Sequence, residues 1–490
     1  MKLTTRDVGG VKKTGTAGVV LLITAAAAVA MAFIDIRYSF GAFAALAVLL
    51  LVRWIGLHRF LPQGPVGWLY AVIIFVTCWA PALGIVGTIA RFALAGVAVL
   101  ALVHSFSTPA PRLRGPVKLG IALLLLTLAM STIGAASTGY GFARLLNWVM
   151  FIPLLWLAFR KPDVRGAGFG LVGTSIFQMI GVGLQLAGLM KGTWGGLLTS
   201  GATYNPETSA WLKRYTGFIM NPNNLALVLT CAVIVLAACL LAQLPGKTKV
   251  GLLGLMGLFT VGIVLTGSRG GLVAVALGVI ILFLAAGKRG IAIGMSVVSL
   301  AVIAYVITGS RELDRLLESF VEIVSGTDAS AVQRSGVWVS RLQTTENGNV
   351  IIGSGFGGYA PELFAGQHGL DVDPANARQA TVDNSWIKIL LESGVLGVLG
   401  MAVTMLPPMC SALWKSKSDR RLWGIASGAV IAALLWRSLS VDMLDQNPWN
   451  AFVFLAVGFA AASAAKCSQD ELHRAEQPGI RLSHYVKPGG

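Results

Sequence analysis

Residues 221–271 read NPNNLALVLTCAVIVLAACLLAQLPGKTKVGLLGLMGLFTVGIVLTGSRGG. Two apolar runs fill this stretch, at 223–244 and 249–266. Each is long enough to cross a hydrocarbon layer of about 30 Å as a helix. Between them lie Pro245, Gly246, Lys247 and Thr248, with Lys249 opening the second run, a basic turn of the kind that stays on the cytoplasmic side. The two outer ends carry amides (Asn221, Asn223, Asn224) and an arginine (Arg269) instead. Inside a bilayer the backbone must satisfy itself, which favours helices over sheets.

The same pattern repeats along the chain. Further apolar runs predict helices at 17–35, 38–53, 67–82, 84–104, 118–136, 142–159, 167–190, 270–287, 291–308, 386–413, 421–440 and 448–466. Only 12% of the residues are charged, against about 25% in a soluble globule. The expected fold is therefore all-α: a polytopic membrane helix bundle of about 12–14 transmembrane helices with one large outer loop. The first apolar stretch reads as an anchor, because it is too long for the core of a cleavable signal.

Lysine and arginine assign the sides. With Lys12 and Lys13 in the cytoplasm, every second connection is basic: Arg53/Arg59, Arg112/Arg114/Lys118, Arg160/Lys161/Arg165, Lys247/Lys249, Lys288/Arg289 and Lys415/Lys417/Arg420/Arg421. About 24 of the 38 basic residues then fall inside, as the positive-inside rule asks. Both ends of the chain are expected in the cytoplasm. The net charge of +17 sits beside helix ends, so membrane lipids with anionic headgroups are the expected partners and nucleic acid is not. This reading gives N-terminal transmembrane helices at 1–190 and transmembrane helices with a first outer segment at 191–308. A large extracytoplasmic loop follows at 309–385, then C-terminal transmembrane helices at 386–466 and a cytoplasmic tail at 467–490.

Cys78, Cys231, Cys239, Cys410 and Cys467 all fall outside the outer loops, so no disulfide framework is expected. The large loop holds ten of the 21 acidic residues, from Glu312 to Asp383. Leu313, Leu316, Leu317, Phe320, Val321 and Val324 recur there at helical spacing, which predicts an amphipathic helix lying on the membrane or over the bundle. Gly353-Ser354-Gly355-Phe356-Gly357-Gly358-Tyr359 reads as a tight backbone turn; no Lys-Ser/Thr follows to make a phosphate loop.

The outer face collects the residues that carry chemistry. Arg269 opens a helix, where the dipole disfavours a cation; either it snorkels or it grips an anion with its guanidinium fork. Arg214 precedes Asn221-Pro222-Asn223-Asn224, where Asn223 or Asn224 can cap the next helix and leave its N–H groups facing outward. Asp383-Asn384-Ser385 opens the helix after the large loop. One of the three is an N-cap, which leaves Asp383 as a possible general base and Asn384 or Ser385 as an orienting donor. Trp386 suits either the interface belt or a sugar face. Asp371-Val372-Asp373 could hold a divalent ion, but so short a pattern arises readily by chance. His368 is a reserve base.

Arg-x-x-Gly at 214–217, Asn-Pro-Asn at 221–223, Ser-Arg-Gly at 268–270, a long outer loop with Gly-x-Gly, then Asp383-Asn384 and Glu392-x-Gly394 follow in order. Together they resemble the O-antigen ligase and Wzy-type polysaccharide polymerase superfamily, over about residues 205–400. The resemblance implies a GT-C-like helical membrane glycosyltransferase of the bacterial inner membrane, with its active site on the extracytoplasmic face. It implies an inverting transfer, without metal or cofactor, from a polyprenyl-pyrophosphate-linked glycan donor to a hydroxyl of a glycan or lipid acceptor. Arg214 and Arg269 would take the pyrophosphate and Asp383 the proton. Asn221, Asn223, Asn224, Ser268, Arg334, Asn384 and Trp386 complete the expected substrate-binding set. The ligase branch carries histidine where this chain has Asp383, which tilts the reading toward a polymerase or a ligase of another glycan. The alternative is a transporter or flippase of lipid-linked oligosaccharide. Against it, no internal repeat is evident, and the charges within helices (Arg91, Arg144, Lys388, Arg437) lie toward their outer halves.

Overall fold

The computed structural model describes residues 61–62, 64–79, 84–107, 113–135, 138–187, 201–205, 210–219, 221–242, 244–288, 339, 342, 350–357, 384–414, 422–439, 441 and 449–475. The expected helices at 17–35, 38–53, 291–308 and 313–324 lie outside these, as do Arg334, His368, Asp371, Asp373 and Asp383.

The described chain forms a helical bundle. Its helices are α1 (Pro65–Trp79), α2 (Gly84–Ser105), α3 (Gly115–Ile133), α4 (Thr138–Val149), α5 (Ile152–Arg160), α6 (Val164–Leu186), α7 (Pro222–Leu240), α8 (Gly246–Leu265), α9 (Arg269–Ala285), α10 (Ser385–Trp414), α11 (Leu422–Ser438) and α12 (Trp449–Ala475). Among the described residues, seven helical spans are long and apolar enough to cross a membrane, and four shorter apolar helices accompany them. The apolar runs mark most of these helices to within a few residues, but α12 continues to Ala475, nine residues past the expected end at 466.

Two further elements depart from expectation. The single helix expected at 142–159 is broken at Met150–Phe151 into α4 and α5. Pro153 sits in the first turn of α5. Lacking an N–H, it cannot bond the carbonyl of Val149 and so ends the preceding ladder. In the first outer segment two strands pair, and the rest of the described residues hold no other sheet. β1 (Gly201–Asn205) pairs antiparallel with β2 (Ala210–Arg214), Gly201 opposite Arg214. A hairpin satisfies its own facing backbone groups outside the helices and needs no apolar run to announce it.

Helix α7 lies at the centre of the bundle. Almost every side chain from Asn224 to Cys239 is buried, as an all-round apolar helix requires when protein encloses it. Helix α2 is equally apolar yet leaves Val86, Ile89, Phe92, Leu100 and Val103 exposed. That face suits lipid contact, where apolar side chains carry no penalty. Helices α3 and α10 cross closely at small residues. A side chain on Gly120 would meet the backbone nitrogen of Thr404 at 2.6 Å, and one on Gly400 would meet that of Leu124 at 2.8 Å. Small residues at such crossings let backbones approach, which is the main source of packing energy between helices in lipid.

Helix α10 is interrupted at Gly394, whose backbone has φ +66°. A continuous helix would bond the N–H groups of Val395 and Leu396 to the carbonyls of Leu391 and Glu392. Instead Val395 N donates to Val350 O (3.0 Å) and Leu396 N to Ile351 O (3.2 Å). The two orphaned carbonyls accept from the same segment: Ser354 N to Leu391 O at 2.8 Å and Gly355 N to Glu392 O at 3.1 Å. The segment 350–357 thus replaces one turn of helix bonding. Gly353, Gly355 and Gly357 all have positive φ, as expected of a tight glycine turn. The buried Glu392 carboxylate accepts from Gly357 N at 3.1 Å and lies 3.5 Å from Arg144 Nη2.

Gly394→Ala is expected to destabilise the protein by about 1–3 kcal/mol, because an L-residue is strained at this φ. Its Cβ would also strike the carbonyl of Ile351. Thermal unfolding in detergent measures the loss, and an unchanged midpoint would contradict the interrupted helix.

Candidate active site

The ends of six helices meet where the outer residues were expected. Pro222 starts α7, and Asn221 caps it: Asn221 Oδ1 accepts from Asn223 N (2.9 Å) and Asn224 N (3.2 Å). This corrects the expectation that Asn223 or Asn224 is the cap. Proline fills the first helical position because no N–H is needed there, and the cap then falls one residue before it. The correction releases two side chains. Asn224 Oδ1 accepts from the indole N–H of Trp449 at the start of α12, at 3.0 Å. Asn223 Oδ1 becomes the centre of a cluster.

Arg214, at the end of β2, donates from Nη2 to Asn223 Oδ1 at 3.2 Å and from Nε to the carbonyl of Thr266 at 2.8 Å. Ser268 is 3% exposed and donates its hydroxyl to the same Asn223 oxygen at 3.1 Å. Arg437, in the last turn of α11, donates from Nη2 to Asn223 Oδ1 at 2.9 Å and to Ser268 Oγ at 2.7 Å. Arg269 follows Ser268 as the half-buried first residue of α9.

On the facing side, Asn384 caps α10. Its Oδ1 accepts from Trp386 N (3.0 Å) and Ile387 N (3.1 Å). The cap expected among residues 383–385 is therefore Asn384, and its side-chain oxygen is committed to the helix. Ser385 donates to the carbonyl of Val441 at 3.0 Å. Trp386 is half-buried, with its indole N–H 2.6 Å from Ser438 Oγ. It ties the start of α10 to the end of α11 beside Arg437. Asp383 immediately precedes this cap in sequence.

Sequence reasoning missed three participants. Arg437 was noted only as an outer-half charge. Gln178 and Gln185 are buried in α6 and shape the turn after Arg214. Gln185 Oε1 accepts from Thr216 N and Gly217 N, both at 3.1 Å, and Gln178 Oε1 accepts from Phe218 N at 2.8 Å. Gly217 has φ +56°, and a Cβ there would lie 2.8 Å from Gln178 Oε1. Polar side chains two turns apart in a membrane helix were the available signal. Their targets lay some 30–40 residues away and left no mark in the local pattern.

The site so far is a group of basic and amide side chains at converging helix ends. Among the described residues, no three of His, Cys, Asp and Glu gather as a metal would need. Fold and site together define a multi-pass helical membrane protein with an anion-suited cluster at one end of its bundle. Residues 254–402 match the Wzy_C family model, described as O-antigen ligase. Over that part of its length the chain is similar to this family. The matched region includes Ser268, Arg269, Asn384 and Trp386, while Arg214, Asn223 and Arg437 lie outside it. No curated protein matches the chain.

Proposed function

We propose that this protein is an inverting membrane glycosyltransferase of the O-antigen ligase or polymerase type. It moves a glycan from a polyprenyl-pyrophosphate donor to an acceptor hydroxyl on the extracytoplasmic face. The observation that carries this reading is the convergence of Arg214, Asn223 and Ser268 at the helix start that bears Arg269. In the reaction the acceptor oxygen forms a bond to the anomeric carbon from the face opposite the leaving group. The bond from that carbon to the pyrophosphate oxygen breaks, and the acceptor proton passes to Asp383. Negative charge grows on the departing lipid pyrophosphate, where guanidinium groups stabilise it. The donor's own pyrophosphate bond supplies the energy, so no nucleotide is needed.

Purified protein in lipid nanodiscs is expected to transfer glycan from a polyprenyl-pyrophosphate donor, and to do so in excess EDTA. Absence of transfer with every acceptor tried would count against the reading. Loss with EDTA, restored by a divalent cation, would instead promote Asp371 and Asp373. Orientation is tested separately. Reporter fusions or cysteine accessibility at Gly196, Gly355 and Ser440 are expected to report outside, and those at Gly246 and Ser418 inside. A cytoplasmic Gly355 would remove an extracytoplasmic active site.

A further inference from the structure

We propose that Arg437 is a positioning residue of the anion site: it anchors Asn223 and Ser268 so that Arg214 can leave Asn223 for the diphosphate. The proposal rests on reading this cluster as a pyrophosphate site.

Burial and bond lengths separate the two arginines. Arg437 is 3% exposed, and its single Nη2 bridges Ser268 Oγ and Asn223 Oδ1 at 2.7 and 2.9 Å. Ser268 closes the triangle with its own bond to Asn223 at 3.1 Å. Arg214 is only half-buried and makes the longest contact with the shared oxygen, 3.2 Å. An amide oxygen has two lone pairs, yet three donors converge on Asn223 Oδ1. The acceptor is oversubscribed, and the longest bond is the one most readily surrendered. A phosphate oxygen arriving at the site offers Arg214 Nη2 a charged acceptor, a stronger partner than a neutral amide. Arg214 Nε keeps its bond to the Thr266 carbonyl at 2.8 Å, so the guanidinium pivots without leaving the site. Arg437, held by two short bonds in the last turn of α11, stays behind and keeps Asn223 and Ser268 oriented. It lies beyond the residues matched to the family model. Burying a guanidinium at a membrane helix end is costly, and Arg437 brings its charge to Asn223 and Ser268.

The test measures binding of polyprenyl diphosphate to the full-length protein in nanodiscs, with inorganic pyrophosphate as competitor. The variants are Arg437→Gln, Arg214→Ala and the double variant, each checked for a monodisperse profile. Arg437→Gln is expected to weaken binding about tenfold or more. Its effect is expected to shrink severalfold once Arg214 is already alanine, because the two act through one oxygen. A purely structural role for Arg437 would give the same loss in both backgrounds and would overturn the proposal, as would wild-type affinity in Arg437→Gln. Should that variant not fold, Arg437→Met carries the test, because it keeps an unbranched apolar stem and loses the bridging donor; weakened binding coupled to Arg214 must still appear. Competition by pyrophosphate shows whether the diphosphate or the lipid tail is being read. Failure of the wild-type protein to bind polyprenyl diphosphate would remove the site's reading itself, and this proposal with it.

Discussion

Arg269→Ala and Arg214→Ala are each expected to abolish most glycan transfer while the protein remains expressed and folded. On the proposed mechanism each removes a guanidinium from the place where the leaving pyrophosphate gains charge, and one well-placed donor of this kind is worth about 10²–10³ in rate. Stability separates this from a packing role. Arg269 is a half-buried cation at the start of α9, where the helix dipole disfavours positive charge. Its loss is expected to leave the fold intact, so that activity falls far more than the thermal midpoint. Arg214 holds the Thr266 carbonyl and Asn223, so Arg214→Ala is expected to lose some stability as well as activity. Arg269→Lys is expected to rescue poorly, because a point charge does not reproduce a bidentate fork. The assay is transfer from a lipid-pyrophosphate donor in vitro. Near-normal activity in Arg269→Ala would count decisively against a pyrophosphate clamp.

Asp383→Asn is expected to lower turnover by about 10²-fold or more, the usual scale of losing a general base, with donor binding largely preserved. The capping geometry sharpens this test. Asn384 accepts the N–H groups of Trp386 and Ile387, so the cap survives in Asp383→Asn and the thermal midpoint is expected to hold. Asn384→Ala is the matched control and is expected to cost about 1 kcal/mol of stability. Asp383→His is expected to retain some activity, since the related ligase branch carries histidine there. Full turnover in Asp383→Asn would send the search for a base to His368 or to the acceptor.

Much of this protein is legible in its sequence, and the reason is local. A segment crossing a bilayer must satisfy its backbone within itself, so it needs a long apolar run, and those runs mark α7, α8 and α9 to within a few residues. Conformational needs of single residues are legible in the same way. The glycines at 353–357 announce positive φ, and an amide before a helix announces a cap, here Asn384. The order of Arg214, Asn221–Asn224, Ser268–Arg269 and Asp383–Asn384 along the chain carries the resemblance to the O-antigen ligase family.

Other features came from the fold alone. Any of three asparagines near Pro222 could cap α7, and the register that makes Asn221 the cap leaves Asn223 to gather its donors. Arg437 meets Asn223 from 214 positions away. Gly120 and Gly400 mark a crossing that neither announces alone. The interruption of α10 depends on the segment 350–357 arriving with four backbone hydrogen bonds to replace the ones a helix would make. Hydropathy and capping are properties of a few neighbouring residues and can be read along the chain. Which faces of the helices meet, and so which polar groups share one oxygen, depends on how their surfaces pack, and only the assembled tertiary structure sets that packing.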